Sequence, residues 1–190
     1  MSFKNANDIK QRLIDGNKNY VNDNISSNSN NDLRSSLTNG QSPFAIVLSC
    51  ADSRVVPEMI FDCSLGELFV VRVAGNIANS SSIASIEYAV AHLGCKLILV
   101  LGHEACGAVT AAVGGGDNGK NLNHLCSHIQ EAVDKSSSSN INEVVKLNAS
   151  INAGDLIKNS EIISKSVSEN KVEIIAGYYS LNGGEVEFLK

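Results

Sequence analysis

Four nearly continuous apolar runs constrain the fold of this chain more than any other feature of its sequence. They cover residues 44–49, 68–73, 96–101 and 171–178, and Val, Ile and Leu dominate them. Such a run is typical of a strand that is buried on both faces, as in a parallel sheet covered by helices. The runs therefore predict a buried and mainly parallel β-sheet.

Segments with helical character lie between and beside these runs. Residues 6–20 form a helix-like stretch near the N-terminus, and residues 142–168 suggest two helices interrupted near residues 152–154. A Gly-Gly turn then leads into residues 185–189, a candidate edge strand. This alternation predicts an α/β fold: a central, mainly parallel β-sheet flanked by helices, with an N-terminal helical arm and an antiparallel edge strand at the C-terminus.

Length and composition restrict the class of protein. The 190 residues suffice for one domain with a sizeable core, so we assign residues 1–40 to the helical arm and residues 41–190 to a single α/β domain. The net charge of −5 gives no indication of a nucleic-acid partner. No apolar run reaches the roughly 18 residues of a membrane span, and the N-terminus lacks an apolar signal core. We therefore expect a cytoplasmic protein whose partners include neither nucleic acid nor a membrane.

The five cysteines argue against a disulfide framework, because their number is odd and the expected compartment is reducing. Three of them, Cys63, Cys95 and Cys126, are predicted to be small buried hydrophobic residues, the usual state of a free cysteine. The other two, Cys50 and Cys106, occupy positions that favour metal binding.

Cys50, His103 and Cys106 form a candidate metal site. Cys50 directly follows the first apolar run and His103 follows the third, so both are expected at the carboxyl edge of the sheet, where ligands of α/β proteins gather. Cys106 comes three residues after His103, one helical turn away on the same side. Two thiolates and an imidazole suit zinc, and three protein ligands leave a fourth position for water, as in catalytic zinc sites. Each residue alone would more often be structural, but the set predicts one Zn2+ per chain and a catalytic, zinc-binding domain.

Asp52 and Arg54 lie beside the first candidate ligand. A carboxylate near a metal ion can orient a bound water, or it can occupy the open metal position and block it. A guanidinium two residues away can hold the carboxylate through two parallel hydrogen bonds and keep it from the metal. The alternative is a surface ion pair of little energetic value. The position next to Cys50 favours the catalytic interpretation.

The same residues resemble the two signature motifs of the β-class carbonic anhydrases. The first is Cys-Ala-Asp-Ser-Arg at residues 50–54, and the second is Gly-His-Glu-Ala-Cys-Gly at residues 102–107. Residues 66–72, 85–90 and 176–179 also look like blocks of this family. The likeness extends over most of the chain, from about Gln41 onward.

The resemblance implies a role for each residue of the site. Cys50, His103 and Cys106 would bind zinc. Asp52 and Arg54 would form the catalytic dyad of the family. In this family the substrate pocket lies at a dimer interface and takes residues from both subunits. The residues of this chain that match the substrate pocket are Gln41, Phe69, Tyr88 and Gly102.

The resemblance also implies an activity and partners. The chain would be an enzyme, a carbonate dehydratase (a lyase), that hydrates carbon dioxide reversibly to bicarbonate and a proton by attack of zinc-bound hydroxide. Carbon dioxide and bicarbonate would be its small-molecule partners, and it would form a homodimer or a tetramer of dimers. One alternative is hydrolysis of carbonyl sulfide or carbon disulfide on the same scaffold. A non-catalytic zinc-binding protein is the other, and the intact Asp52–Arg54 pair and Gln41 argue against it.

Val47 and His92 bear on regulation and proton transfer. Some β-class members have a tryptophan three residues before the first zinc cysteine, in a regulatory site that binds bicarbonate. This chain has Val47 there and no tryptophan at all. We therefore expect an open metal site near neutral pH, with Asp52 held off the metal. His92 could relay protons, but a histidine on a helix surface or an interface is the simpler interpretation.

Overall fold

The computed structural model describes residues 3–138 and 140–189. Its strands are β1 (Ala45–Ser49), β2 (Leu68–Arg72), β3 (Leu97–His103), β4 (Glu173–Tyr179) and β5 (Val186–Phe188). Its helices are α1 (Ala6–Val21), α2 (Asn31–Ser36), α3 (Pro57–Ile60), α4 (Ser80–His92), α5 (Gly107–Gly114), α6 (Lys120–Ser127), α7 (Gln130–Lys135), α8 (Ile141–Lys158) and α9 (Glu161–Ser168), with a short 3-10 turn at Ala74–Asn76. None of the helices in these described ranges is long and apolar enough to cross a membrane.

The five strands form one sheet in the order β2-β1-β3-β4-β5. Neighbours from β2 to β4 pair in parallel, and β5 is antiparallel to β4. Every position of β1 and β3 is buried, and this double-sided burial explains why the two central strands are apolar throughout. The predicted fold class is therefore confirmed.

The register of the central strands brings their carboxyl ends to one edge of the sheet. Ser49, the last residue of β1, lies opposite Leu101 of β3 and Arg72 of β2. The chain leaves β1 at Cys50, while β3 continues for two residues beyond this level to His103. This edge therefore receives the first two predicted metal ligands.

One face of the sheet is covered by α1. The helix buries Ile9 and Leu13, which pack in one apolar cluster with Val47 and Leu99 of the central strands. Ile9 and Leu13 are four positions apart, the spacing that places side chains on one face of a helix. The helical arm thus packs against the sheet, and its treatment as a separate unit, residues 1–40, stays a prediction.

Asn17 joins α1 to the hairpin formed by β4 and β5. It is 7% exposed, and its side-chain amide donates to the carbonyl oxygens of Ile60 at 3.2 Å and Gly184 at 2.8 Å. Its side-chain oxygen accepts the N–H of Val186 at 2.9 Å. The buried amide is therefore satisfied by backbone groups from two distant parts of the chain.

The opposite face of the sheet is covered by α4, α8 and α9. Ile86 of α4, Ala149 of α8 and Ile163 of α9 are all completely buried. They belong to one apolar cluster with Ile98 and Val100 of β3. Helices therefore lie on both faces of the sheet, the three-layer arrangement that a mainly parallel sheet requires.

The predicted interruption near residues 152–154 is wrong, because α8 runs unbroken through it. Asn152 is buried, and its side-chain amide donates to the carbonyl oxygen of Asn148 at 2.9 Å and accepts the N–H of Ala78 at 2.6 Å. A buried asparagine whose polar atoms are bonded can be accommodated inside a helix. The two predicted helices are separated instead at residues 159–160.

Candidate metal centre

Cys50, His103 and Cys106 converge at the carboxyl edge of the sheet. Their possible ligand atoms all lie within 4.8 Å of one another, and the three side chains are buried. The two sulfur atoms are 4.0 Å apart. Among residues 3–138 and 140–189, this is the one group of three or more His, Cys, Asp or Glu side chains close enough to share a metal ion.

Three turns bring these side chains together. Cys50 leaves β1 directly, and the N–H of Gly75, in the turn after β2, donates to its sulfur at 3.4 Å. His103 ends β3, and Cys106 is the N-cap of α5. Between these two ligands Ala105 has a φ of 52°, a left-handed conformation that alanine seldom adopts. This sharp turn redirects the chain from the strand into the helix within the length of the motif.

The donor set fits a zinc ion. His103 is fully buried, and its Nε2 has no hydrogen-bond partner among the residues described. Its Nδ1 lies 2.9 Å from the carbonyl oxygen of Glu104, which can only accept, so Nδ1 carries the proton and Nε2 presents a lone pair. A buried lone pair without a partner is costly, and a cation would satisfy it. Two sulfurs at about 2.3 Å from a tetrahedral zinc would lie about 3.8 Å apart, close to the observed 4.0 Å.

The two cysteine sulfurs share a single proton. The S–H of Cys106 donates to Cys50 and lowers the pKa of the Cys50 thiol, although burial opposes this effect. The same hydrogen bond, together with burial, raises the pKa of the Cys106 thiol. A metal cation can replace the shared proton and stabilise both thiolates, because metal binding and thiol ionisation are coupled.

Asp52 is held beside these ligands by Arg54. The guanidinium donates from Nε and Nη2 to the two carboxylate oxygens at 2.9 and 2.7 Å, and the backbone N–H of Arg54 donates to the carboxylate at 2.9 Å. Hydrogen bonding to Arg54 holds the pKa of Asp52 well below its ordinary value, so the carboxylate is ionised at neutral pH. Asp52 Oδ2 is 3.9 Å from His103 Nε2. The carboxylate therefore faces the ligand atoms while its oxygens are engaged by the guanidinium, which is the geometry that an open site requires.

Arg72 and Asn142 hold the backbone of the site, although sequence reasoning did not assign them to it. Arg72 donates to the carbonyl oxygens of Cys50 at 3.1 Å and Asp52 at 2.6 Å. Asn142, at the start of α8, accepts the N–H of Ala105 at 3.0 Å. For Arg72, the sequence did offer one signal of a role in the site: it is a single charged residue near the end of an apolar run. Nothing in the sequence marked Asn142, because its role depends on where α8 begins in space.

The aromatic and amide residues predicted for the substrate pocket lie away from the metal ligands of the same chain. Gln41 precedes β1, at the end of that strand opposite Cys50. Phe69 on the edge strand β2 and Tyr88 on α4 lie together, with ring centroids 6.3 Å apart, and Tyr88 is 49% exposed. Phe69 is level with Ile46 of β1, toward the amino end of the strand. The three side chains therefore do not surround the metal ligands of their own subunit, and their role in substrate binding stays a prediction.

Gly102, also predicted for the substrate pocket, is buried where α8 crosses β3. A Cβ atom at this position would come within 2.7 Å of Val145 Cγ1 and 3.2 Å of the Val145 carbonyl oxygen. The close approach of helix and strand therefore requires glycine here. This gives Gly102 a packing function, and contact with substrate stays a prediction.

The remaining cysteines and His92 lie outside the candidate metal centre. Cys63 and Cys95 are buried as predicted, and burial raises the pKa of their thiols to about 12 and about 11. Cys126 differs from the prediction, since it is only half-buried on α6, a helix without any fully buried side chain. His92 is the last residue of α4, whose first residue lies about 18 Å away along the helix, on the side of the metal edge. The structure thus gives no direct path for proton transfer from the site to His92 of the same chain.

Comparison with known sequences identifies the family. The family model described as carbonic anhydrase matches residues 45–186. Carbonic anhydrase 2 of Mycobacterium tuberculosis is 37% identical over 160 residues, which cover 80% of this chain and 77% of the relative. The carbonic anhydrase of Mycolicibacterium smegmatis is 37% identical over 161 residues, covering 81% of this chain and 78% of the relative.

Solved structures agree with this result. A tetrameric β-carbonic anhydrase of the filamentous ascomycete Sordaria macrospora superposes with a TM-score of 0.76 at 26% identity, covering 84% of this chain and 87% of that one. The β-carbonic anhydrase of Coccomyxa, solved in complex with acetazolamide, gives a TM-score of 0.74 at 28% identity, with coverages of 82% and 75%. Sequence, fold and the arrangement of the metal-binding side chains lead to the same conclusion: this chain belongs to the β class of the carbonic anhydrase family.

Proposed function

We propose that this protein is a carbonate dehydratase that catalyses the zinc-dependent, reversible hydration of carbon dioxide to bicarbonate and a proton. The observation that carries the proposal is the buried Cys–His–Cys group beside a carboxylate that Arg54 keeps ionised and engaged. Membership of the carbonic anhydrase family supports the same activity.

Cys50, His103 and Cys106 would hold one zinc ion per chain. When bound, the ion supplies a Lewis acid that lowers the pKa of water toward neutrality, as in carbonic anhydrases generally. The three protein side chains leave a further coordination position free, as catalytic zinc sites do. Because all three side chains are buried, they would exclude bulk water from their side of a bound metal.

Asp52 orients the attacking oxygen. Its ionised carboxylate can only accept hydrogen bonds, so a neighbouring hydroxyl must point its hydrogen at Asp52 and turn a lone pair toward the substrate. Arg54 fixes the plane of that carboxylate through its two parallel hydrogen bonds, and Arg72 fixes the backbone that carries it. The product proton passes to buffer.

We further propose that the substrate pocket is completed in a cytoplasmic homodimer, which can associate into a tetramer of dimers. Gln41, Phe69 and Tyr88 are remote from the metal ligands of their own chain. Phe69 lies on β2, a strand at the edge of the sheet, and the Tyr88 ring packs near it. A second copy docked at this edge could bring the three side chains to its own metal centre. The tetrameric assembly of the Sordaria macrospora relatives supports association. Five free cysteines support a reducing compartment.

Stopped-flow measurement of carbon dioxide hydration tests the proposed activity. We expect hydration by the zinc-loaded protein, loss of activity after treatment with a chelator, and recovery when zinc is restored. Carbonyl sulfide and carbon disulfide are tested in parallel. Hydrolysis of either, without carbon dioxide hydration, would replace the proposed reaction. Full zinc content with no activity on any of the three would indicate a non-catalytic zinc-binding protein.

A further inference from the structure

Glu104 lies in the metal-binding motif, but its carboxylate is used elsewhere. Its Oε2 atom accepts three hydrogen bonds from the turn between β4 and β5. The donors are the Ser180 hydroxyl at 3.1 Å, the Leu181 N–H at 2.8 Å and the Asn182 N–H at 3.1 Å. The backbone N–H of Glu104 also donates to the carbonyl oxygen of Tyr179 at 2.8 Å. Three hydrogen bonds thus join the residue after His103 to this turn, and a fourth joins it to the end of β4.

The carbonyl oxygen of Glu104 orients His103. It lies 2.9 Å from Nδ1 of the imidazole, and this contact keeps the proton on Nδ1 and the lone pair on Nε2. If the peptide between Glu104 and Ala105 rotated, the carbonyl would leave the imidazole without a partner. Both neutral tautomers of His103 would then be accessible, and only one of them presents Nε2 to a metal.

The peptide group between Glu104 and Ala105 leads into a strained residue. Ala105 has a positive φ of 52°, which an alanine adopts only when its surroundings hold it there. On the C-terminal side of this peptide, Asn142 accepts the N–H of Ala105 at 3.0 Å. On the N-terminal side, the carboxylate of Glu104 provides the anchor. Cys106 follows immediately, so relaxation of this turn would also move the second sulfur.

We propose that Glu104 is a positioning residue for the metal centre: by binding the turn at residues 180–182, it fixes the carbonyl that orients His103 and the left-handed turn that leads to Cys106. This inference depends on the proposed function for the identity of the metal. It assigns to the β4–β5 turn a part in holding zinc, although this turn contributes none of the three metal-binding side chains.

The rate of zinc release to a coloured chelator tests the inference. We expect Glu104→Ala to release zinc about 10–100-fold faster than the unmutated protein. Metal affinity falls by this factor when the hydrogen-bond support of a metal-binding histidine is lost. Glu104→Gln keeps an acceptor oxygen for the same donors and should lie between the two. Ser180→Ala removes one of the three donors and should change the rate in the same direction, by less. Glu131→Ala is the matched control, because Glu131 pairs with Lys135 on the exposed surface of α7.

A second measurement separates positioning from general destabilisation. Long-range 1H–15N NMR spectra of the reduced, metal-free full chain report the tautomer of His103. We expect the Nδ1–H form in the unmutated protein, and a mixture of tautomers in Glu104→Gln or Glu104→Ala. Unchanged zinc release and an unchanged tautomer in both Glu104 variants would overturn the inference, while hydration activity of the unmutated protein would still stand. Failure of the unmutated protein to bind zinc would count against the proposed function, and the tautomer would still decide the role of Glu104.

Discussion

Replacing Asp62 by asparagine should destabilise the protein by about 2 kcal/mol at pH 7. Asp62 is 2% exposed, and its carboxylate accepts the backbone N–H groups of Ser26 and Ser27 at 2.8 and 2.7 Å and the side-chain amide of Asn19 at 2.9 Å. Burial alone would raise the pKa of this carboxyl, but the hydrogen bonds outweigh it and lower the pKa from 3.8 to about 2. At 1.36 kcal/mol per pKa unit, ionisation therefore favours the folded state by about 2 kcal/mol.

The sign of this effect determines its pH dependence. Because the pKa of Asp62 is lower in the folded state than in the unfolded state, its contribution is fully present above about pH 4 and is lost as the pH falls toward 2. The difference in unfolding free energy between the unmutated protein and Asp62→Asn should therefore shrink to about 1 kcal/mol at pH 3. Asparagine cannot ionise, so the variant lacks this part of the pH dependence.

Urea unfolding at fixed protein concentration, at pH 7 and pH 3, measures both differences. Asparagine suits the backbone at position 62, whose φ is 46°, so the substitution changes the charge with little backbone strain. Asp23→Asn is the matched control, since Asp23 has a similar φ of 53° but is exposed. Equal stability of the two variants at pH 7 would refute the reasoning. A difference from the unmutated protein that is as large at pH 3 as at pH 7 would show that ionisation is not its source.

Three further predictions concern the metal centre and the pocket. Cys50→Ser and His103→Ala should each lose zinc and hydration activity, measured by elemental analysis and stopped-flow, because a hydroxyl or a methyl cannot replace these ligands; full zinc content in either variant would remove that residue from the ligand set. Arg54→Ala should retain zinc but lose most activity, because Asp52 is then free to take the open metal position; activity near that of the unmutated protein would exclude the gating role. The variants Tyr88→Ala and Cys50→Ser should each be inactive alone. Refolded together in equal amounts, they should regain about a quarter of full activity, because half of the dimers then contain one of each chain and have one intact site out of two. No recovery on mixing would place Tyr88 in the site of its own chain.

The parts of this fold that depend on local pattern could be predicted from the sequence. β1 and β3 are buried on both faces, and their unbroken apolar character therefore predicted both the strands and the parallel sheet. The ligand positions followed, because Cys50 directly follows β1 and His103 ends β3. The prediction of an interruption near Asn152 was wrong because it depended on a contact that is not local. Its side chain is satisfied by Ala78, a residue far away in sequence, and no local pattern records such a partner.

The sequence predicted the candidate metal ligands better than it predicted the residues that hold those ligands in place. Cys106 could be proposed from spacing alone, but the left-handed turn at Ala105 could not, because alanine carries no signal for a positive φ. Glu104 was visible only as part of a motif. Its function depends on a turn some 76 residues later in the chain, which becomes its neighbour only when β4 pairs with β3.

The bonds of Asn17 bear on the order in which this protein can mature in the cell. Its partner Gly184 lies 167 residues later in the chain. At ordinary translation speeds of about 5–20 residues per second, the ribosome needs on the order of 10–30 s to make that segment. Helix α1 can therefore complete its hydrogen bonds only after the much later β4–β5 hairpin has been synthesised. This hairpin also contains the turn bound by Glu104, so the metal centre can reach its final arrangement only after residues 180–186 have been synthesised. Zinc delivery to this protein is accordingly expected to follow synthesis of residues 180–186.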